Sequence, residues 1–323
     1  MSEAVVAKAV RRLQEAVERG SAYEGLQSAK SVYHRCRSRR QYEASYNLAQ
    51  QGAQVLLTHG DITAGVELAK MLTEAYVSDN VPAGSEATQR LLSILDAAQR
   101  FASSQPPAAD LSQPGPIDAA CQQLAVAGIK WARGQEGGSQ EAQRLHTRMG
   151  ELIWSCRGWH GLAAAAEHYT RGADLTAYAA VLAACIQESG AQTEEESWFL
   201  LRAVLYILLA SKPNARALKA NAAAATDVGL SRAASLLKAY REMTGQELPS
   251  SPPIHLCLLL FEVIQHQDGK LAEYICTTYE AWLSSDMELQ QAFSAVAASY
   301  LLSRQATSGG GLLGDLMQML GNG

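Results

Sequence analysis

Arg19-Gly20-Ser21-Ala22-Tyr23-Glu24, Ser38-Arg39-Arg40-Gln41-Tyr42-Glu43 and Thr58-His59-Gly60-Asp61 recur about one helix length apart near the start of the chain. The first two each open the next segment with a tyrosine followed by an acid. Breaks at this interval predict stacked antiparallel helix pairs. Each pair leaves an apolar flank that only the next pair can cover, so the chain grows as an array with long exposed faces. The fold class expected is all-α: a right-handed α-solenoid of stacked antiparallel helix hairpins, TPR-like, with about 15 helices.

Composition agrees. Of 323 residues 48% are apolar but only 7% aromatic, and alanine makes up much of the apolar share, which suits close helix packing better than a sheet core. Helical periodicity predicts helices near 3–19, 22–37, 40–58, 62–79, 84–103, 117–133, 137–155, 158–170, 174–189, 193–211, 213–226, 230–244, 253–267, 269–283 and 286–303. Residues 1–303 read as a single solenoid, with halves 1–155 and 156–303, followed by a tail over 304–323. Prolines at 106, 107, 114 and 116 forbid continuous helix through 103–116, which reads as a surface loop. The Pro-rich connection 245–253 leaves room for a small extended or hairpin excursion. In the tail, Gly309-Gly310-Gly311 precedes a Leu/Met cluster over 312–320, either a short amphipathic helix or a disordered end.

The chemistry that would make an enzyme is missing from the pattern. No phosphate-binding loop string, nucleophile elbow or H-E-x-x-H pair occurs. Glu194-Glu195-Glu196 follows Thr193 at a helix start, where acids meet the positive end of the helix dipole. His168, beside Glu167 and Tyr169, reads as a helix-packing residue. The six cysteines (Cys36, Cys121, Cys156, Cys185, Cys257, Cys276) have no C-x-x-C spacing, so they read as small buried residues in a reducing compartment. No catalytic, cofactor or metal residues are expected. With no apolar run at Met1 and no stretch long enough to span a bilayer, the chain reads as a cytosolic protein.

Charge is uneven. Residues 1–40 hold nine Lys or Arg against four acids, a balance of +5 in a chain whose net charge is −5, leaving −10 for the remainder. An acidic partner is expected at this end, or else a solvated basic helix face. The acidic remainder argues against a long RNA track. On the second helix Ala22, Leu26, Ala29, Tyr33 and Cys36 follow the spacing of a buried stripe. Tyr23, Gln27, Lys30, His34 and Arg37 repeat it one residue later, about 100° round at its edge, in a mixture that suits a polar protein interface. The alternative leaves Tyr23 packing the first hairpin and the others solvated. Towards the other end, His255, Leu259, Phe261, Ile264, Tyr274, Tyr279, Trp282 and Tyr300 concentrate large side chains, as core or as a covered surface.

These landmarks carry a resemblance. Ala22-Tyr-Glu-Gly-Leu-Gln27, Leu57-Thr-His-Gly-Asp61, Gly161 to Gly172 with its Glu167-His168-Tyr169, and the tail Gly310-Gly-Leu-Leu-Gly-Asp-Leu316 stand in order along nearly the whole chain. Together they resemble the family of the fourth factor of the guided-entry (GET) pathway for tail-anchored membrane proteins. The resemblance implies a non-enzymatic, cytosolic adaptor. Its N-terminal helices would engage the dimeric targeting ATPase through Tyr23, Gln27, Lys30, His34, Arg37, Arg39 and Arg40. Its C-terminal half would hold a ubiquitin-like-domain partner, and through it co-chaperones, on the region His255 to Tyr300. The departures are the Pro-rich loop at 103–116, the alanine-heavy helices and the short connection at 245–253. Another helical-repeat scaffold, or a co-chaperone that binds peptide termini in a groove, is the alternative; such a groove should repeat Lys, Arg and Asn along its helices.

Overall fold

A computed structural model describes residues 2–105, 111, 113–190, 193–213, 215–266 and 269–300. The tail over 304–323, with its glycines and Leu/Met cluster, lies outside the described residues. Among those residues there are fourteen α-helices, one short 3-10 turn at Gly158–Gly161 and no strand, in keeping with the all-α class expected. They fall into two compact units, Met1–Ala177 and Tyr178–Gly323.

The first unit begins with four helices of equal length: α1 (Ser2–Glu18), α2 (Ala22–Ser38), α3 (Tyr42–Thr58) and α4 (Ile62–Ser78), each 17 residues. Their register is set by one turn, repeated. At each end the residue two beyond the helix has positive φ: Gly20 (76°), Arg40 (56°), Gly60 (88°) and Asn80 (52°). Its N–H donates three residues back, and the next N–H donates five back. The bonds are Ser21 N to Ala16 O (2.8 Å), Gln41 N to Cys36 O (2.9 Å), Asp61 N to Leu56 O (2.9 Å) and Val81 N to Tyr76 O (2.9 Å). This is the Schellman stop, which satisfies the last carbonyls of a helix by turning one residue left-handed.

After α5 (Ser85–Ser104), α6 (Pro116–Arg133), α7 (Ser139–Arg157) and α8 (Leu162–Tyr169), the packing follows the hairpin order. Helix α1 packs on α3, α3 on α5 and α5 on α7 in one layer; α2 packs on α4 and α4 on α6 in the other. Helix α3 packs on α1 and α5 in its own layer and on α2 and α4 in the other, and buries Ala44, Ser45, Tyr46, Leu48, Ala49, Gly52, Ala53, Leu56 and Leu57. Its small residues let neighbouring helices approach from several sides, which is how a low-aromatic sequence fills a core.

Helices α6, α7 and α8 are joined by a polar chain that runs from exposed Arg133 to two buried histidines. The Arg133 guanidinium donates to His146 Nε2 (3.2 Å), and His146 Nδ1 lies 3.2 Å from His168 Nδ1. Since an arginine only donates, His146 accepts at Nε2 and carries its proton on Nδ1; it then donates to His168, whose own proton sits on Nε2. Burial and the neighbouring cations push both imidazoles down, His146 to about 3 and His168 to about 4. His168 is thus buried, as its sequence context predicts, but it is also hydrogen bonded.

The second unit contains most of α9 (Leu175–Ser189), then α10 (Thr193–Ala210), α11 (Ala215–Thr244), α12 (Pro252–His266), α13 (Gly269–Leu283) and α14 (Met287–Tyr300). Helix α10 is its axis: Leu200, Leu201, Val204, Leu205, Ile207 and Leu208 are fully buried, and α11, α12 and α14 pack round it. Tyr300 donates its hydroxyl to Leu208 O (2.8 Å) over Gly229, where an added Cβ would stand 2.3 Å from that oxygen.

Two sequence expectations are corrected here. The break expected between the helices over 213–226 and 230–244 falls earlier: α11 is two helical stretches that meet at a kink at Asn221 (φ −159°, ψ 97°), and Gly229 lies inside the second. Gly229 is helical, and its missing side chain leaves room for the Tyr300 hydroxyl. The hairpin excursion near 245–255 is absent: residues 245–251 form no strand, and α12 starts at Pro252. Seven residues with a proline among them cannot make two paired strands and a turn.

Candidate partner-binding faces

The buried stripe of α2 is as the spacing predicts at four of five positions. Leu26, Ala29, Tyr33 and Cys36 are buried, Ala22 is half-buried, and Tyr33 donates to Met71 O of α4 (3.0 Å). The edge one residue round splits in two. Tyr23 is 71% exposed, and Gln27 and His34 are exposed. Lys30 and Arg37 instead turn to the α4 side, Lys30 to Glu67 and Arg37 to Asp79.

Arg37 anchors a network. Its Nη2 donates to Asp79 Oδ1 (2.8 Å) and Ser78 Oγ (3.0 Å), Tyr46 donates to Asp79 Oδ2 (2.5 Å), and the guanidinium lies 5.1 Å over the Tyr42 ring. The Arg37 bond holds the Asp79 carboxyl below the usual carboxylate range, while burial and the same carboxylate raise Tyr46. Arg37 therefore ties α2, α3 and α4 together. Its charge is spent on Asp79, so it offers a partner little.

Arg39 and Arg40, in the α2–α3 turn, are both exposed. Seventeen residues at about 1.5 Å each put this turn about 25 Å from Tyr23, at the opposite end of α2. Five of the seven candidates thus form two exposed clusters: Tyr23 and Gln27 at one end, and Arg39, Arg40 and His34 towards the other. Two positions the sequence reading passed over join the second cluster: Arg35 is exposed on the last turn of α2, and Tyr42 is 41% exposed beyond the turn.

In the second unit the eight candidates also divide. Ile264 (1% exposed) and Tyr300 (0%) are core, and Tyr279 is buried at 7%. His255 is exposed and bonded to the Tyr279 hydroxyl (3.1 Å). Trp282 is half-buried, stacked on Trp198 with ring centroids 4.1 Å apart and edge-on to Tyr279. Leu259 and Phe261 are half-buried, and Tyr274 is 58% exposed. The sequence reading missed Leu258, which is 49% exposed while Leu259 is more covered. Along α12, His255, Leu258, Leu259 and Glu262 follow i, i+3, i+4, i+7 and form one accessible, partly apolar stripe. Within the run Leu258-Leu259-Leu260, periodicity alone does not say which leucine faces out.

A polar groove runs between α5 and its neighbours α3 and α7. One cavity of about 410 Å³ is lined by Gln50, Arg90, Ser93 and Arg144 among others, and another of about 460 Å³ by Asp96, Gln99, Arg100 and Arg148. The cations expected of a peptide-binding groove are thus more regular than the sequence shows. They are also largely neutralised: Arg90 pairs with Glu43 and Glu86, Arg144 with Glu141, and Arg148 with Asp96 and Glu151.

No group of three or more metal-ligating side chains occurs among the described residues, and no described helix is long and apolar enough to cross a membrane. A family model described as Golgi to ER traffic protein 4, GET4, matches residues 39–320. The chain belongs to the GET4 family. It is similar to Protein GET4 of Arabidopsis thaliana, 20% identical over 324 residues that cover 96% of this chain and 94% of the relative. The crystal structure of C. therm. Get4 matches with a TM-score of 0.68 at 20% identity, covering 100% of this chain and 96% of that one, which shows the shared fold. Membership gives the chain a role in the GET pathway of tail-anchored protein targeting, as a helical adaptor. Residues 1–38, including most of the α2 face, lie outside the matched span, while Arg39 and Arg40 lie inside it.

Proposed function

We propose that this family member acts in the cytosol as a non-enzymatic bridge. Its first unit would engage the dimeric tail-anchored-protein targeting ATPase, and its second a ubiquitin-like-domain protein that brings co-chaperones and client. The observation that carries this reading is the contrast between two accessible faces in separately packed units. One, along α2 and the α2–α3 turn, carries Tyr23 at one end and exposed arginines beside Tyr42 at the other; the other, on α12 and α13, offers Leu258, Leu259 and Tyr274 beside His255. Tyrosine and arginine are the residues on which interface energy concentrates, and an apolar helical stripe suits a small compact domain.

Tethering client and ATPase to one scaffold makes handover of a hydrophobic tail effectively intramolecular and shortens its exposure to water. If the scaffold binds the closed, nucleotide-loaded ATPase better than the open one, it shifts that population by the ratio of the two affinities. The groove-binding alternative is disfavoured because three of the four groove arginines, Arg90, Arg144 and Arg148, already hold carboxylates.

The test is affinity purification of the tagged chain from cytosol with and without a non-hydrolysable ATP analogue. Recovery of the targeting ATPase, increased by nucleotide, together with a ubiquitin-like-domain protein that nucleotide leaves unchanged, is the expected result. Recovery of neither, alongside a different stable complex, would overturn the proposal.

A further inference from the structure

The arginines of the first unit divide by what neutralises them. Arg37, Arg90, Arg144 and Arg148 each hold a carboxylate. Arg133, the last residue of α6, and Arg171, two residues beyond α8, hold none among the described residues. Both instead stand against the buried histidines of α7 and α8. Arg133 Nη2 donates to His146 Nε2 (3.2 Å), and Arg171, whose Nη1 donates to Glu167 O (2.5 Å), bears with its charge on both imidazoles.

The negative end of a helix dipole accounts for an arginine at the close of α6 and of α8. It does not account for the direction of Arg133, whose side chain bonds an imidazole of α7 and not the last carbonyls of its own helix. The acids at hand are engaged or turned away. Asp174 caps α9, accepting from Thr176 N (2.8 Å) and Ala177 N (3.3 Å). Glu167 stands four residues before Arg171, the spacing of a helical ion pair, but Arg171 bonds its carbonyl and not its carboxylate. Two positive charges thus flank two imidazoles, and no carboxylate bears on the pair.

The donors left over give the site its shape. Each guanidinium carries five N–H groups and uses one here, and the tautomers set by Arg133 leave His168 with its proton on Nε2. That N–H has no acceptor among the described residues. His168 is 8% exposed, and its Nε2 is not sealed in: the side-chain polar atoms buried without a partner among the described residues are the Tyr76 hydroxyl and Thr88 Oγ1. A donor on a nine-tenths-buried ring therefore opens to the surface beside two exposed guanidiniums.

We infer that Arg133, His168 and Arg171, with His146 orienting Arg133, form a binding site for a phosphate group, free or carried as a phosphomonoester. Phosphate brings nearly two negative charges at neutral pH and three strong acceptor oxygens, which match two guanidiniums and one imidazole N–H. A carboxylate brings one charge and two oxygens. A phosphate held by all three side chains would tie the end of α6 to the end of α8, which are joined mainly through α7. The inference does not rest on the adaptor reading.

Inorganic phosphate, glycerol 3-phosphate and acetate should be titrated into the full chain at pH 7.5 and fixed ionic strength, by calorimetry and by the imidazole NMR resonances of His146 and His168. At least one of the two phosphates should bind saturably with Kd about 1 mM or tighter and move the His168 resonances. Tighter binding of inorganic phosphate identifies the free ion as the ligand, and tighter binding of glycerol 3-phosphate a phosphomonoester. Arg171→Gln removes an exposed side chain bonded only to a carbonyl, and should weaken that binding about tenfold. Arg133→Lys keeps a donor for His146 but lacks the fork, and should weaken it by less. Arg39→Ala, in the separate arginine cluster of the α2–α3 turn, should leave it unchanged. Acetate bound as tightly as either phosphate, imidazole resonances that do not move with phosphate, or an affinity that Arg171→Gln leaves unchanged would each overturn the inference. The NMR titration uses the unmodified chain, so its outcome stands whether or not a variant folds.

Discussion

The buried pair His146 and His168 should make the first unit acid-labile in a window where carboxylates contribute little. In the unfolded chain each imidazole titrates near 6.5, whereas burial, with His168, Arg133 and Arg171 nearby, lowers His146 to about 3, and burial beside Arg171 lowers His168 to about 4. Between those values the unfolded chain holds more protons than the folded one, so stability falls as pH falls. At pH above 6.5 both states are neutral and nothing is lost. The loss accumulates from about 6.5 down to about 4, where folded His168 begins to accept its own proton. Each histidine contributes at most about 1.4 kcal/mol per pH unit, so the fall from pH 6.5 to 5.0 costs about 2 kcal/mol per imidazole and about 4 kcal/mol for both. Urea unfolding of the unmodified chain and of the double variant His146→Gln, His168→Gln at pH 7.5 and 5.0 measures this. The difference between their pH dependences cancels every titrating group they share. The unmodified protein should lose about 4 kcal/mol more than the variant, and His168→Gln alone should recover about half of that. Equal pH dependences, or imidazole NMR resonances of the pair that move between pH 7 and 5 in the folded protein, would refute the reasoning.

Arg37→Ala should destabilise the first unit by about 1–3 kcal/mol, because it leaves Asp79 partly buried without its cation, while Arg39→Ala changes stability by less than about 0.5 kcal/mol; denaturant midpoints distinguish the two. Gly229→Ala places a Cβ 2.3 Å from the Tyr300 oxygen and should cost about 1–3 kcal/mol. Tyr300→Phe removes that oxygen, so the double variant should cost less than the sum of the singles in a double-mutant cycle. Burial raises the thiol of Cys121 to about 12 and those of Cys156 and Cys185 to about 11, so all three should resist iodoacetamide at pH 8 in the folded chain and react once it is unfolded.

The equal helices of the first unit were legible because their stops are local. Gly20, Gly60 and the flanking polar residues mark the breaks by themselves, and the α2 stripe of Leu26, Ala29, Tyr33 and Cys36 follows from spacing. What sequence reading missed depends on contacts across the stack. Lys30 and Arg37 share the edge spacing of Tyr23, yet they meet Glu67 and Asp79 of α4, 37 and 42 residues away. A 20-residue register puts α4 about two repeats after α2, so the same periodicity that located the helices also foretells these pairs once it is applied across layers. In the second unit, Gly229 looks like a stop and is instead the floor under Tyr300. Ile264 and Tyr300 look like candidates for a sticky surface because size and apolarity do not report burial. Leu258 was passed over for the reverse reason.

The adaptor reading stands or falls on the independence of its two faces. Purified targeting ATPase dimer and purified ubiquitin-like-domain protein should each be titrated against three full-length proteins by calorimetry: the unmodified chain, Tyr23→Ala with Arg39→Ala, and Leu258→Asp with Tyr274→Ala. The predicted result is crossed: the first pair of substitutions weakens only the ATPase and the second weakens only the ubiquitin-like protein, each by about tenfold or more. Both variants binding both partners as the unmodified chain does would contradict it.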